Sequence, residues 1–190
     1  MKFDKYLAHV RELYTYDCVL FPNPLARSLN EFSEELAEYA LSTHPNYGEG
    51  VLKQIDELGD VLFFVTIVNS QLGVYGKSSN IGELLKDYSE PVYLAKTGDT
   101  LYDFTKASML YSQALKRWGR DNKCVFKPET LDGLKILTYE VSQLVVDYGN
   151  ELYGNNISQL MDLNITKLLS RKQKSGHQIT AKDRGAQGIL

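Results

Sequence analysis

The segment 61–68, Val-Leu-Phe-Phe-Val-Thr-Ile-Val, limits the fold more than any other part of the chain because all but one of its residues are apolar. A helix that is apolar around its whole circumference has to be covered on every side. The segment is too short to cross a bilayer and follows the acids Glu57 and Asp60, so we expect it to be buried against other helices, including those of a second subunit. The sequence therefore predicts a central helix over about 51–72.

The rest of the chain favours further helices. Its 5 prolines leave long stretches in which apolar residues recur at helical spacing, which predicts helices over about 3–14, 25–41, 101–118, 131–153 and 157–171. We expect an all-α protein of the four-helix-bundle type, folded as one domain over 1–190. Within it, we assign 1–86 to a catalytic half, 87–131 to an insertion or the start of a second repeat, 132–175 to C-terminal helices and 176–190 to a tail.

Composition restricts the partners and the compartment. The formal net charge is -3, so the chain lacks the positive excess of a protein that binds a nucleic acid polymer or a membrane surface. Cys18 and Cys124 are far apart and have no neighbours at zinc-binding spacing, which favours neither a disulfide framework nor a zinc site. The first residues are charged where a signal peptide is apolar. These features predict a cytoplasmic protein with a small charged ligand.

The sequence also contains a pattern typical of a worn internal repeat. Segment 32–38 aligns with 104–110, segment 56–62 with 139–145, and the phrase at 80–84 with that at 156–160. In the second copy the apolar pattern is kept, but most acids are replaced, by Ala107, Leu110 and Gln143. This pattern predicts a duplication with one inactive site. The alternative is that any two pairs of amphipathic helices align this well.

Two pairs of acids have the spacing of metal ligands. Glu35 and Glu38 are three residues apart, as are Glu57 and Asp60, so each pair lies on one face of a helix. Facing pairs of carboxylates suit Mg²⁺, which takes its remaining ligands from water and from the phosphates of a substrate. Glu31 lies on the same flank as Glu35 and is a candidate fifth carboxylate.

Acids of this kind also have a purely structural explanation, because glutamate favours helices and acids near a helix start complement its dipole. The position of Glu57 and Asp60 favours a metal site, since acids that enter a buried helix are costly unless they are paired or bound to a metal.

The last helix carries polar groups on one face. Asn164, Lys167 and Arg171 follow the i, i+3, i+7 spacing, so an amide, an ammonium and a guanidinium lie side by side. Such a face suits phosphate oxygens. The alternative is a solvated basic helix end beside the carbonyl terminus.

Three motifs in this order resemble the MazG-like superfamily of all-α nucleoside triphosphate pyrophosphohydrolases, which is related to the dimeric dUTPases and the phosphoribosyl-ATP pyrophosphohydrolases. The motifs are ELAE at 35–38, ELGDVLF at 57–63 and NITKLLSRK at 164–172. The second motif is specific to the family and the other two gain weight from their order. The resemblance covers 1–75 and 150–185, and it leaves 87–131 as a departure that is a degenerate repeat, a lid or a subunit contact.

The resemblance implies a dimeric or tetrameric bundle, with a homodimer as our expectation, that uses Mg²⁺, or Mn²⁺ as a substitute, to hydrolyse a nucleoside triphosphate to the monophosphate and pyrophosphate. By this resemblance one or two metal ions are held by Glu35, Glu38, Glu57 and Asp60; the phosphates are held by Lys167 and Arg171 with Asn164 nearby; and the proton of the attacking water is taken by Glu34 or Glu38.

Two other functions fit the same residues. A regulatory protein would use the pocket to bind a nucleotide with little turnover, and a helical interaction module would carry the acids only as a solvated face. We assign no role to the aromatic residues or to the scattered histidines, since aromatics at helical spacing are usually part of a core.

Overall fold

The computed structural model describes residues 1–14, 23–48, 50–73, 92–154 and 156–175. Every regular element in these ranges is helical, which confirms the predicted all-α class. The helices are α1 (Phe3–Leu13), α2 (Pro24–Ser42), α3 (Val51–Gln71), α4 (Thr100–Lys116), α5 (Pro128–Tyr153) and α6 (Ile157–Ser175), and α4 continues into a π-helical turn, Arg117–Asp121. The phrase at 80–84, Cys18 and the tail 176–190 lie outside the described residues.

Helices α2, α3, α5 and α4 form the bundle. Each of them packs against two neighbours, in the cyclic order α2, α3, α5, α4, while α1 and α6 pack together on the outer side of α3. Helix α3 is thereby covered from four directions. All residues of 61–68 are between 0% and 4% exposed, so the prediction of a central, fully covered helix is confirmed. In the described part of the chain, no helix combines the length and the apolar character needed to cross a membrane.

Helices α2 and α4 approach each other closely through small residues. Ser33 Oγ donates to the carbonyl of Ser108 over 3.1 Å, and Ser108 Oγ donates to the carbonyl of Ser33 over 2.7 Å. Further along, the rings of Tyr39 and Phe104 meet edge to face with centroids 4.6 Å apart. Buried aromatic pairs of this kind add to the free energy of packing, and they hold α2 in a defined position on the bundle.

Local signals set several helix ends. Asn23 caps α2 by accepting from the backbone N–H of Ala26, and Asp99 caps α4 in the same way. Helix α5 begins at Pro128, earlier than the predicted 131. Proline is favoured there because the first turn of a helix does not use the backbone N–H that proline lacks. The division that we placed between 131 and 132 therefore falls inside a helix. Helix α6 extends beyond the predicted 171, to Ser175.

The segments of the suggested repeat occupy corresponding helices. Segment 32–38 lies on α2 and its counterpart 104–110 on α4, and these two helices pack together; segment 56–62 lies on α3 and its counterpart 139–145 on α5, which also pack together. Each segment is thus on a helix that contacts the helix of its counterpart. This arrangement is compatible with a duplication, which stays a prediction.

Candidate metal centre

Three of the four predicted metal-binding acids converge. Glu35 reaches from α2, and Glu57 and Asp60 reach from α3, so that one carboxylate oxygen of each lies within 4.8 Å of the others. The three residues are 9%, 5% and 6% exposed. Three carboxylates at this distance repel one another, and burial removes most of the screening by water. A group of oxygen donors with this geometry and charge fits a hard divalent cation such as Mg²⁺.

Glu38 lies at the open edge of this group and is not one of the three converging acids. Its side chain is exposed, yet partial burial raises the pKa of its carboxyl above the ordinary value, and repulsion from Glu57 adds to this rise. Asp60 and Glu34 act in the same direction, whereas Lys53 opposes them. Glu38 therefore experiences the field of the cluster from its rim, and its role as a ligand stays a prediction.

The two other glutamates of α2 that we considered have their own partners. Glu31 Oε1 accepts from Arg27 Nε over 2.8 Å, in an ion pair largely shielded from water. Glu34 is exposed, and its Oε1 accepts from Asn30 Nδ2 over 3.0 Å. Neither belongs to the group of converging carboxylates among the described residues.

Helix α6 brings two of the three predicted phosphate-binding residues onto Asp60. Asn164 Nδ2 donates to Asp60 Oδ1 over 3.1 Å, and Lys167 Nζ donates to Asp60 Oδ2 over 2.6 Å. The same ammonium lies 2.8 Å from Asp56. Arg171 is half-buried on α6, one turn beyond Lys167. Asn164 and Lys167 of the last helix therefore form one site with the acids of the first half.

Sequence reasoning missed three contributors to this site. Lys53 forms an ion pair with Glu57 from the preceding turn of α3, and Asp56 shares Lys167 with Asp60. The i, i+4 spacing of Lys53 and Glu57 was a signal for the first of these. The third is Tyr6, whose hydroxyl contacts Asn164. No pattern in the sequence indicated that contact, because a tyrosine on the apolar face of α1 reads as an ordinary core residue.

The atoms that could bind a metal ion in the site are all carboxylate oxygens, and the acids outnumber the two lysines. Lys53 and Lys167 neutralise part of the charge on Glu57 and Asp60, while Glu38 and Asp56 add to the negative potential. Such an excess of negative charge attracts a cation. The ammonium of Lys167, which already lies in the site, can turn toward a phosphate. The residues therefore fit a divalent cation bound together with a polyphosphate.

The counterpart of this site in the second half has a different character. In the alignment of the two halves, Glu140 of α5 takes the place of Glu57, and it is 3% exposed. Its carboxylate accepts from the backbone N–H groups of Tyr93, over 3.1 Å, and Leu94, over 2.9 Å, and also from that of Val92. These hydrogen bonds satisfy the buried charge without any metal. Glu140 therefore anchors the chain that leads into α4.

Comparison of the chain with family models, with curated proteins and with solved structures gives no match. The functional argument accordingly rests on the geometry of the site and on the motifs in the sequence.

Proposed function

We propose that this protein is a Mg²⁺-dependent nucleoside triphosphate pyrophosphohydrolase, which converts a ribo- or deoxyribonucleoside triphosphate and water to the monophosphate and pyrophosphate. The observation that carries the proposal is the convergence of a buried carboxylate group on α2 and α3 with a lysine of α6, whose ammonium lies 2.6 Å from Asp60. The order of the three motifs, which resembles the MazG-like superfamily, supplies the choice of reaction.

In this proposal Glu35, Glu57 and Asp60 hold Mg²⁺, with Glu38 available at the rim. Bound Mg²⁺ would supply a polarised water for attack at the α-phosphorus and would offset charge on the leaving pyrophosphate. The bundle fixes the carboxylates by placing them on two packed helices, so little reorganisation is needed when the ion binds.

Lys167 and Arg171 bind the phosphates in this proposal. Lys167 keeps its contact with Asp60 and exchanges its contact with Asp56 for a phosphate oxygen, since Asp56 is the more exposed of the two partners, at 38% against 9%. The water's proton goes to Glu34 or Glu38. Glu38 is favoured, because burial and then Glu57 raise the pKa of its carboxyl, whereas Glu34 is held by Asn30.

A pyrophosphate-release assay over a panel of nucleoside triphosphates, with Mg²⁺ or with a chelator, tests the proposal. We expect turnover only with the metal, and we expect Glu57→Gln and Asp60→Asn to reduce it to below about 1% of the wild-type rate. Asp132→Asn is the matched control, because that acid is exposed and pairs with Lys135 on its own helix. Full turnover in both site variants would refute the assignment.

One observation favours a second function. Lys53 and Lys167 already neutralise part of the charge on Glu57 and Asp60. The acids of the pocket are therefore compensated by the protein itself, as they would be in a regulator that binds a nucleotide with little turnover. Calorimetry would then show tight nucleotide binding without release of pyrophosphate. A helical interaction module would instead gain no thermal stability from Mg²⁺ and nucleotide.

A further inference from the structure

A chain of hydrogen bonds connects α1 to the carboxylate group through α6. The hydroxyl of Tyr6 donates to Asn164 Oδ1 over 3.1 Å, and Asn164 Nδ2 donates to Asp60 Oδ1 over 3.1 Å. Tyr6 is 0% exposed and Asn164 is 2% exposed. Both ends of the Asn164 amide are thus engaged by the protein, beneath the site and away from water.

This chain fixes the direction of the amide. A carboxylate such as Asp60 only accepts, so it requires the NH₂ end of Asn164 to face it. In the flipped orientation the amide oxygen would face the carboxylate and the NH₂ group would face the tyrosine. In the orientation that Asp60 requires, the Tyr6 hydroxyl donates to Oδ1 and gives the buried amide oxygen its partner. Lys167 holds the second oxygen of Asp60, so both oxygens of this carboxylate have a defined partner on α6.

The packing of α6 on α3 makes the contact feasible at Gly59. A Cβ at this position would lie 3.4 Å from both Cβ and Nδ2 of Asn164. The Asn164 side chain therefore packs directly against α3 at the glycine beside Asp60. An alanine Cβ would meet Asn164 at ordinary contact distance, whereas a larger side chain would need the space that Asn164 occupies.

We propose that Tyr6 and Asn164 are positioning residues, which orient the Asp60 carboxylate for the cation. Asn164 acts on Asp60 in this assignment, instead of contacting a phosphate as its place on the polar face of α6 suggested. The inference rests on the proposed function, since it specifies how the same site is built. Partners of this kind fix the orientation of a ligating carboxylate, and their loss typically weakens metal binding by about 10–100-fold.

Calorimetric titration of the full chain with Mg²⁺ alone tests the inference. Tyr6→Phe removes only the hydroxyl, and we expect Mg²⁺ to bind roughly tenfold more weakly. Activity should return at raised Mg²⁺, with the KM for the nucleotide at saturating metal unchanged. Tyr111→Phe is the matched control, because Tyr111 is also 0% exposed and its hydroxyl donates to Thr138 away from the site. We expect this control to bind Mg²⁺ as the wild type does.

Asn164→Ala separates the two roles of the amide. A positioning role predicts weaker Mg²⁺ binding that added metal rescues, whereas a phosphate contact predicts a raised KM with Mg²⁺ affinity intact, which would overturn the inference. Wild-type Mg²⁺ affinity in Tyr6→Phe would also overturn it and leave the proposed function standing. A wild-type protein that binds no Mg²⁺ would overturn both.

Discussion

The acids of the site differ in how their charge is compensated. Glu57 has Lys53, and Asp60 has Lys167 and Asn164, whereas the pKa of Glu38 is raised first by partial burial and then by Glu57. A raised pKa in the folded state means that ionised Glu38 opposes folding. The cost is present above the folded pKa and disappears as the pH falls below the ordinary value of a glutamate.

Glu38→Gln should therefore stabilise the chelated protein at about pH 8 and have little effect at about pH 4, where wild-type Glu38 is protonated. Because the side chain is exposed and screened, we expect a gain below about 1 kcal/mol, or at most roughly 3 °C in Tm. Thermal unfolding at the two pH values measures it. Equal shifts at both values would contradict the electrostatic explanation.

Gly59 provides a second test at the scale of one residue. Gly59→Ala should be neutral or stabilising by up to about 1 kcal/mol, since alanine favours the helix and the added Cβ meets Asn164 at the ordinary contact distance of 3.4 Å. Gly59→Val places further methyl groups in the space of Asn164 and should weaken Mg²⁺ binding about tenfold. Equal Mg²⁺ affinities in the two variants would show that this close approach does not position the amide.

At the scale of the helices, the two halves use a buried glutamate in different ways. Glu57 on α3 faces other acids, while Glu140 on α5 accepts from the backbone amides of Val92, Tyr93 and Leu94. Asp103 on α4 likewise accepts from Thr97 and from the hydroxyl of Tyr148. Asp103 and Glu140 therefore secure the segment that enters α4, whereas Glu57 and Asp60 lie together in the group of converging acids.

Glu140→Gln should destabilise the fold by roughly 1–3 kcal/mol, because it removes the charge from hydrogen bonds that are shielded from water. Mg²⁺ affinity should be unchanged. Glu57→Gln should show the opposite pattern, with lost Mg²⁺ binding and little loss of stability, since it relieves repulsion within the cluster. Chemical unfolding and calorimetry on both variants measure these effects. Loss of Mg²⁺ binding in Glu140→Gln would argue against separate roles.

On the scale of the whole molecule, the described residues offer one group of converging acids on α2 and α3, and the counterparts on α4 and α5 are apolar or amide side chains, apart from Glu140. If the chain is a duplication with one inactive half, one molecule would supply the helices that two subunits supply in an unduplicated relative. The homodimer that we expect from the family resemblance would then carry one complete site in each chain.

We therefore predict one nucleotide bound per chain, measured by calorimetry in Mg²⁺ with a non-hydrolysable triphosphate analogue. Sedimentation of the same sample gives the number of chains in the particle. Binding of one nucleotide per two chains would mean that the site is shared between subunits, which would contradict an independent site in each chain.

The sequence by itself determined the helices, because apolar periodicity, proline placement and capping residues act within a few residues of one another. It also determined that 61–68 must be central, and it placed Glu35, Glu57 and Asp60 on two faces that could meet. Helix α5 begins at Pro128 instead of the predicted 131, since proline is favoured in the first turn of a helix.

The tertiary structure decided which of these groups meet. The contact between Asn164 and Asp60 spans 104 positions of the chain, and that between Tyr6 and Asn164 spans 158. Such contacts depend on how α1 and α6 pack on α3, which no local pattern encodes. The rim position of Glu38 and the use of Glu140 as a backbone anchor have the same origin. The pairing of Glu31 with Arg27, by contrast, is a local i,i+4 contact within α2. Spacing along a helix sets the face on which a side chain lies, and only the packing of helices sets what that face meets.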